Sequence, residues 1–250
     1  MMRTCAVVPY FEHPRTLAAV AEALLSHGLA CIVVDDGSGA AANAAAAELA
    51  ARHPGKVTLV THPRNRGKGA AVMSGMRAAA AAGFTHVLQI DADGQHDTAD
   101  VPAFLDRSAR HPQALVLGRP IFDASTPGVR YYGRYLTHAW VWINTLSLDI
   151  ADSMCGFRVY PLAPVLGLAG EERLGERMDF DTEVLVRLHW RGVPMVDVPT
   201  RVTYPRDGQS HFRLWRDNVR ISAMHARLFF GMLQRLPVLL RRRRGEALHA

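Results

Sequence analysis

The sequence predicts an α/β fold with a mainly parallel sheet flanked by helices, and three features of its first half carry that prediction. Short β-branched runs alternate with Ala-rich runs of helical length, as expected of β-α-β units. The Ala-rich runs each end near a Gly, His or Pro that suits helix termination. Polar residues gather where each run ends: Phe11-Glu12-His13, Asp35-Asp36-Gly37-Ser38, Arg64-Asn65-Arg66-Gly67-Lys68 and Asp91-Ala92-Asp93. In open α/β sheets the carboxyl edge of the strands is where ligands bind, so these clusters mark a candidate site.

In chain order, the predicted strands are Thr4 to Pro9, Ala30 to Asp35, Val57 to Thr61, His86 to Ile90 and Ala114 to Gly118. Helices are predicted between them at Arg15 to His27, Ala40 to Arg52, Gly69 to Ala82 and Val101 to Arg110, each ending near a Gly, His or Pro. The run Ala40 to Ala51 resembles low complexity, but its place between two strands makes it a helix. Beyond Gly118 the pattern loosens. A long aromatic-rich helix is expected from Arg130 to about Leu148, a turn at Asp152 to Gly156, a helix from Asp181 to Trp190 and a last strand from Val198 to Tyr204.

Length and composition narrow the function classes. A chain of 250 residues, 49% hydrophobic and 21% charged, fits a catalytic domain (residues 1–212) with an appended basic segment (213–250). Apolar runs fall short of the roughly 20 residues that span a bilayer, and the N-terminus reaches Pro9 and Glu12 too early for a secretory signal, so the expected location is cytoplasmic. Three widely spaced cysteines, Cys5, Cys31 and Cys155, support neither a disulfide framework nor a zinc site; Cys5 and Cys31 read as buried strand residues and Cys155 as a packed one. Residues 201–250 hold a local charge of +8 within an overall +6, leaving a slightly acidic body.

Asp91 and Asp93 flank one small residue directly after an apolar run. Residues two apart at a strand end point the same way, so both carboxylates can converge on one hard cation, Mg²⁺ or Mn²⁺, which would neutralise a diphosphate leaving group. Standing alone, such a pair is better read as a solvated acidic turn or a helix cap before Val101. Asp36, after a second buried strand, could accept from a nucleobase imide or ribose hydroxyl, with Gly37 letting the chain turn closely. Asn65-Arg66-Gly67-Lys68-Gly69 resembles a phosphate-binding loop but lacks P-loop spacing. No G-x-G-x-x-G follows the first strand, which disfavours dinucleotide oxidoreductases.

The motifs V-V-P, V-V-D-D-G-S, N-R-G-K-G-A-A, D-A-D-G-Q-H, D-S-M-C-G-F-R and F-D-T-E-V-L stand in the order and approximate spacing of the family 2 glycosyltransferases. From Val7 to about Ser210 the chain especially resembles the branch of dolichol-phosphate mannose synthase and bacterial polyprenyl-phosphate glycosyltransferases. That resemblance implies a GT-A fold, a UDP- or GDP-sugar donor and inversion at the anomeric carbon. It places Pro9, Phe11 and Asp36 at the nucleoside and Asp91, Asp93 and Gln95 at donor and metal; Lys68, from the phosphate-loop-like stretch, and Ala92, between the two aspartates, complete the candidate donor-binding residues. Phe11 stands for the usual Tyr, Glu12 for Asn and Met154 for Gln. Arg119 falls where an arginine can meet an acceptor phosphate, with Arg130 and Arg134 on one helix face as possible assistants. Asp181 falls near the family's general base, with Asp179 and Glu183 beside it; an acceptor phosphate, already anionic, would leave it a positioning role. Arg206 and His211 fall in the segment that closes over the diphosphate.

From Leu214 to Leu236, Ile221, Met224, Leu228, Met232 and Leu236 recur at helical spacing among arginines, followed by Arg241 to Arg244. This is the profile of an amphipathic helix on an anionic membrane surface. A helix packed on the domain is the alternative. No nucleic-acid partner is expected, since the basic stretch has no recognition motif. The expected activity is transfer of a hexose to a lipid-linked acceptor, most readily polyprenyl phosphate, at the inner face of the cell membrane. The alternatives are a hydroxyl acceptor on a lipid, glycan or pigment, and an inactive sugar-nucleotide-binding or scaffold protein.

Overall fold

The computed structural model describes residues 2–121, 128–203 and 214–247. Seven strands form one sheet: β1 (Thr4–Tyr10), β2 (Cys31–Asp35), β3 (Val57–Thr61), β4 (His86–Gln89), β5 (Leu115–Ile121), β6 (Arg158–Pro161) and β7 (Met195–Arg201). Their order is β3-β2-β1-β4-β6-β5-β7. All pairs are parallel except those of β6, which runs antiparallel to β4 and β5. The strand order reverses between β1 and β4, and such a switch point opens a crevice at the carboxyl edge.

The helices are α1 (Pro14–Ser26), α2 (Ala40–Arg52), α3 (Lys68–Ala81), α4 (Val101–Arg110), α5 (Gly128–Thr145), α6 (Leu162–Glu171), α7 (Phe180–Trp190) and α8 (Leu214–Ala247). They make two outer layers. On one face Cys5, Val7, Ile32 and Val34 pack with α3, α6, α7 and α8. On the other, Ala6, Val8, Cys31 and Val33 pack with α1, α2 and α4. Because β1 and β2 are covered on both sides, successive residues of each strand feed opposite cores, which explains their uninterrupted apolar sequence.

The five strands and four helices expected in the first half are present, with ends shifted by no more than three residues. Two later elements were not anticipated. β6 is four residues long and bounded by Arg158 and Pro161, so Val159-Tyr160 alone is too short a run to announce a strand. α6 contains Pro164, Gly167 and Gly170, which depress helix propensity, yet Leu162, Val165 and Leu168 are buried beneath it. Tertiary burial overrides local preference in both. All three cysteines are free and buried, as expected.

The stripe read as membrane-facing is corrected. Met224, Leu228 and Met232 are buried in the domain core, with Ile221 and Leu236 packed at its margin, so this face of α8 is spent on α5 and α7. Burying that apolar stripe against the protein is favourable by the same term that would have driven it into lipid. Other apolar residues of α8 remain outside: Trp215 is 81% exposed, and Val219, Phe230, Leu233, Val238 and Leu240 are also on the surface. Opposite them, α5 exposes Tyr135, Leu136, Trp140 and Ile143. Between the two helices lies a cleft of about 430 Å³ bordered by Leu136, Trp140, Ile221, His225, Phe229 and Phe230. No described helix is long and apolar enough to cross a membrane. The boundary assigned near 212 falls outside the described residues.

Candidate active site

The carboxyl ends of β1, β2 and β4 and the N-termini of α3 and α7 meet at one place. Asp91 follows β4, where Ile90 N–H still donates to Val7 O at 3.2 Å. Lys68 is the first residue of α3 and Asp181 the second of α7. Lys68 Nζ lies 2.8 Å from both Asp91 Oδ2 and Asp181 Oδ2, bridging two carboxylates supplied by elements far apart in sequence.

Glycines permit this meeting. A Cβ on Gly69 would stand 2.5 Å from Phe180 Cβ and 2.7 Å from Gly175 O, so the start of α3 can lie on the segment before α7 only without side chains there. Gly67 takes φ 110° and its Cβ would fall 2.5 Å from Glu176 O. Ala70 N–H donates to Glu176 O at 2.9 Å, and Arg177 Nη1 donates to Asn65 Oδ1 at 3.0 Å. The N-R-G-K-G stretch is therefore shaped by packing against 175–180, and that packing sets Lys68 opposite Asp181.

Asp36 holds the same loop from the other side. It is 3% exposed, Oδ1 accepts from Arg66 N–H at 2.9 Å and contacts His62 Nδ1 at 2.7 Å, and Oδ2 accepts from Gly67 N–H at 2.7 Å. His62 Nε2 in turn lies 2.9 Å from Ser74 Oγ. The carboxylate of Asp36, expected at the nucleoside, is thus engaged in clamping the loop. Gly37 likewise serves the loop, since a Cβ there would stand 2.6 Å from Arg64 Cα. His62 was not singled out from sequence; a lone histidine after β3 gives no signal of its buried partners.

Asp91, Asp93 and His96 form an electrostatically coupled group. Burial works to raise the Asp91 carboxyl, but Lys68 first and His96 second outweigh it and hold it below the usual carboxylate range. Burial, then repulsion from Asp91, pushes Asp93 up. Burial holds His96 below its ordinary value despite both aspartates, favouring the neutral imidazole. Lys68 loses charge stability by burial and regains more from Asp181 and Asp91, so it stays an ammonium. Asp93 Oδ1 accepts from Gln95 N–H at 3.0 Å, across Gly94 at φ 72°.

Two observations fit a divalent cation at this place. Asp91 Oδ1 is buried with no hydrogen-bond partner, and Asp93 faces repulsion from Asp91 that a cation would relieve. Among the described residues no three His, Cys, Asp or Glu side chains are arranged as a ready metal cluster. Two carboxylates completed by phosphate oxygens and water are a usual set for Mg²⁺.

The loop between α5 and β6 lies against Asp91, where a Cβ on Gly156 would meet its carboxylate. Asp152 Oδ1 accepts from Met154 and Cys155 N–H at 2.9 and 2.7 Å, and its carboxylate is held by Arg134 and by His138 at 3.2 Å. Burial opposes ionisation of Asp152, but His138 and Arg134 hold it well below the ordinary range. Arg134 is thus committed to this buried pair. Burial pushes the Cys155 thiol up to about 12, consistent with a packed residue. Arg158 is fully buried; it donates to Ser153 O at 2.7 Å, Asp181 O at 2.8 Å and Tyr160 Oη at 2.9 Å, and sits 3.6 Å from Asp181 Oδ1. Its place in C-G-F-R was visible in sequence, its partners were not.

Among the three acidic residues near the start of α7, only Asp181 reaches Lys68. Glu183 is taken by Arg187 at 2.8 Å and Gly175 N–H at 2.8 Å, and Asp179 accepts from Arg177 N–H at 3.2 Å. Pro9 is buried in β1, and Tyr10 Oη donates to Ala42 O at 2.8 Å, so Phe11 is the half-buried aromatic at this edge. Glu12 ties the two loops: its N–H donates to Ser38 Oγ at 3.1 Å and its Oε1 accepts from Gly39 N–H. Ala92 is buried, its carbonyl accepting from Thr16 Oγ1. Gln95 is half-buried, and its carbonyl accepts from Thr203 N–H at 2.9 Å. Arg119 is exposed at the carboxyl end of β5, where its charge acts on Asp197, apart from the Lys68 cluster. Arg206, His211 and the side chain of Arg130 lie outside the described residues.

The family model described as "Glycosyl transferase family 2" matches residues 5–165. A polyprenol monophosphomannose synthase of Mycolicibacterium smegmatis is 26% identical over 80% of this chain and 77% of its own length. The glycosyltransferase AglJ of Haloferax volcanii is 26% identical over 84% of this chain and 66% of its own. Among solved structures, glucosyl-3-phosphoglycerate synthase of M. tuberculosis, crystallised with Mn²⁺ and UDP-glucose, superposes with a TM-score of 0.64 at 17% identity, covering 94% of this chain and 79% of that one. Mannosyl-3-phosphoglycerate synthase of Rubrobacter xylanophilus gives 0.63 at 17% identity, over 98% and 75%.

Proposed function

The chain belongs to glycosyl transferase family 2 and is a glycosyltransferase of the GT-A fold, and from that premise we propose that it moves a hexose from a UDP- or GDP-sugar to a lipid-linked acceptor, polyprenyl phosphate first among them. The observation that carries the donor half is Asp91 at the end of β4, with one oxygen buried and unshared beside Asp93. Asp91 and Asp93 would hold Mg²⁺ or Mn²⁺, which supplies charge neutralisation to a departing diphosphate. Lys68, on the opposite side of Asp91, adds a second positive charge where the leaving group gathers its own. Phe11 offers the aromatic face for the base, while Asp36 keeps the loop before Lys68 in place.

A phosphate acceptor is already anionic and needs no base, so it is compatible with an Asp181 that pairs with Lys68 and serves to position groups. The polyprenol monophosphomannose synthase of M. smegmatis, similar over four fifths of the chain, favours the same class. The apolar surface on α5 and α8, beside the basic residues Arg216, Arg220 and Arg227, suits peripheral attachment at an anionic bilayer.

Purified protein incubated with Mn²⁺, a panel of UDP- and GDP-sugars and extracted lipids should yield a lipid whose mass rises by one hexose. Failure to bind or turn over any of these donors sinks the donor assignment. Arg119→Ala separates the acceptor classes: transfer to a phosphate should fall far more than transfer to a hydroxyl.

A further inference from the structure

Lys68 occupies the very carboxylate that a divalent cation would need. Its ammonium sits 2.8 Å from Asp91 Oδ2 and 2.8 Å from Asp181 Oδ2, while Asp91 Oδ1 is left buried without a partner. The backbone beneath Lys68 is fixed, because Gly67 and Gly69 are packed against Glu176 and Phe180 and Asp36 grips Arg66 and Gly67. Only the flexible four-carbon stem can move. A divalent cation placed on Asp91 would share that carboxylate with the ammonium in a largely enclosed site, where repulsion between cations is weakly screened. A nucleoside diphosphate offers the ammonium another anion.

We propose that Lys68 is a built-in cation that competes with the divalent metal for Asp91 and is drawn away by the diphosphate of the donor, so that metal and nucleotide bind cooperatively. This rests on the donor-site reading given above. Lys68 is then a positioning residue with two stations, the Asp91–Asp181 pair in the empty site and the diphosphate in the loaded one. Since coupling between ligands is reciprocal, metal should tighten nucleotide by the same factor that nucleotide tightens metal. The coupling expected from displacing one such ion pair is about tenfold.

The test measures Mn²⁺ binding by electron paramagnetic resonance, without sugar transfer, alone and with saturating UDP or GDP. Wild type should bind Mn²⁺ weakly alone and about tenfold more tightly with nucleotide. Lys68→Met should bind Mn²⁺ alone more tightly than wild type and lose most of the gain from nucleotide, whereas Lys68→Arg, which keeps the charge, should remain weak. Arg66→Gln, which removes a nearby positive charge without touching Asp91, should not tighten Mn²⁺. Circular dichroism and thermal melts establish that each variant is folded. Unchanged or weaker Mn²⁺ binding by folded Lys68→Met overturns the competition, and so does equal tightening by Arg66→Gln. Nucleotide that binds wild type without strengthening Mn²⁺ overturns the displacement step. Absence of UDP and GDP binding to every variant overturns the donor reading instead, and the Mn²⁺-alone comparison still decides whether Lys68 competes.

Discussion

Replacing Arg158 with methionine should unfold the site from within. The guanidinium is fully buried and satisfies two backbone carbonyls, Ser153 O and Asp181 O, besides Tyr160 Oη, and it neighbours the Asp181 carboxylate. Methionine fills similar volume but donates nothing. Ser153 O then keeps only the 3.4 Å contact from Thr182 Oγ1, and Asp181 O only its place in the ladder of α7. Two hydrogen bonds from a charged donor at roughly 1.5–3 kcal/mol each make the loss about 4 kcal/mol, with methionine's own burial offsetting the departed Asp181 contact. For a chain of this size that lowers Tm by roughly 8–16 °C. Urea unfolding followed by tryptophan fluorescence gives the free energy directly. Activity should fall about a hundredfold beyond what unfolding explains, because Arg158 joins the Ser153–Gly156 loop to α7, and small misplacements near reacting groups are costly. Arg158→Lys, able to reach only some of the three acceptors, should fall between. A loss under about 1 kcal/mol would refute the reasoning, since it would mean the carbonyls find other partners when the guanidinium is gone.

Three further outcomes are expected. Burial lowers His225 from 6.5 to about 4; the unfolded chain then binds the extra proton first as pH falls, so stability present above pH 6.5 is lost progressively down to pH 4, by about 3 kcal/mol. Denaturant midpoints across that range should show His225→Leu losing this share of the slope, and an unaltered slope counts against it. In Gly156→Ala, the new Cβ would press on the Asp91 carboxylate, so Mn²⁺ binding and transfer should fall at least tenfold while the melting curve moves little; normal Mn²⁺ binding contradicts the placement of that loop. Trp215→Ser combined with Phe230→Ser removes two exposed apolar groups from α8, and co-sedimentation with vesicles containing anionic lipid should drop several-fold; unchanged co-sedimentation counts against attachment through this surface.

What the sequence made legible, and what it hid, divides along a physical line. β1 and β2 announce themselves because strands buried on both faces are uniformly apolar, and α1 to α3 because they are rich in alanine. Asp91, Asp93 and Asp181 stood out as candidates because carboxylates at a strand end or a helix start contrast with the apolar residues around them. β6 and α6 were hidden because their identity comes from burial between other elements, with Arg158, Pro161, Pro164 and Gly167 arguing locally against it. The stripe on α8 was read correctly as apolar and wrongly as membrane-facing. Periodicity reports that a face is buried and is silent about what covers it.

The same limit explains the two aspartates of D-D-G-S. Sequence offers a carboxylate at a strand end, and both a nucleobase and a loop of bare N–H groups are suitable partners for it. Asp35 accepts from Ser38 N–H at 3.0 Å and from Asn43 Nδ2 at 2.8 Å, while Asp36 takes the N–H groups of Arg66 and Gly67. The acidic cluster after β2 therefore stiffens two loops, and the free carboxylate character is concentrated at Asp91. This arrangement puts the flexibility of the site into one side chain. With Asp36 fixing the loop and Arg158 fixing α7, Lys68 is the group between Asp91 and Asp181 that can move without disturbing the backbone on either side, which is what a residue shared between an empty and a loaded site requires.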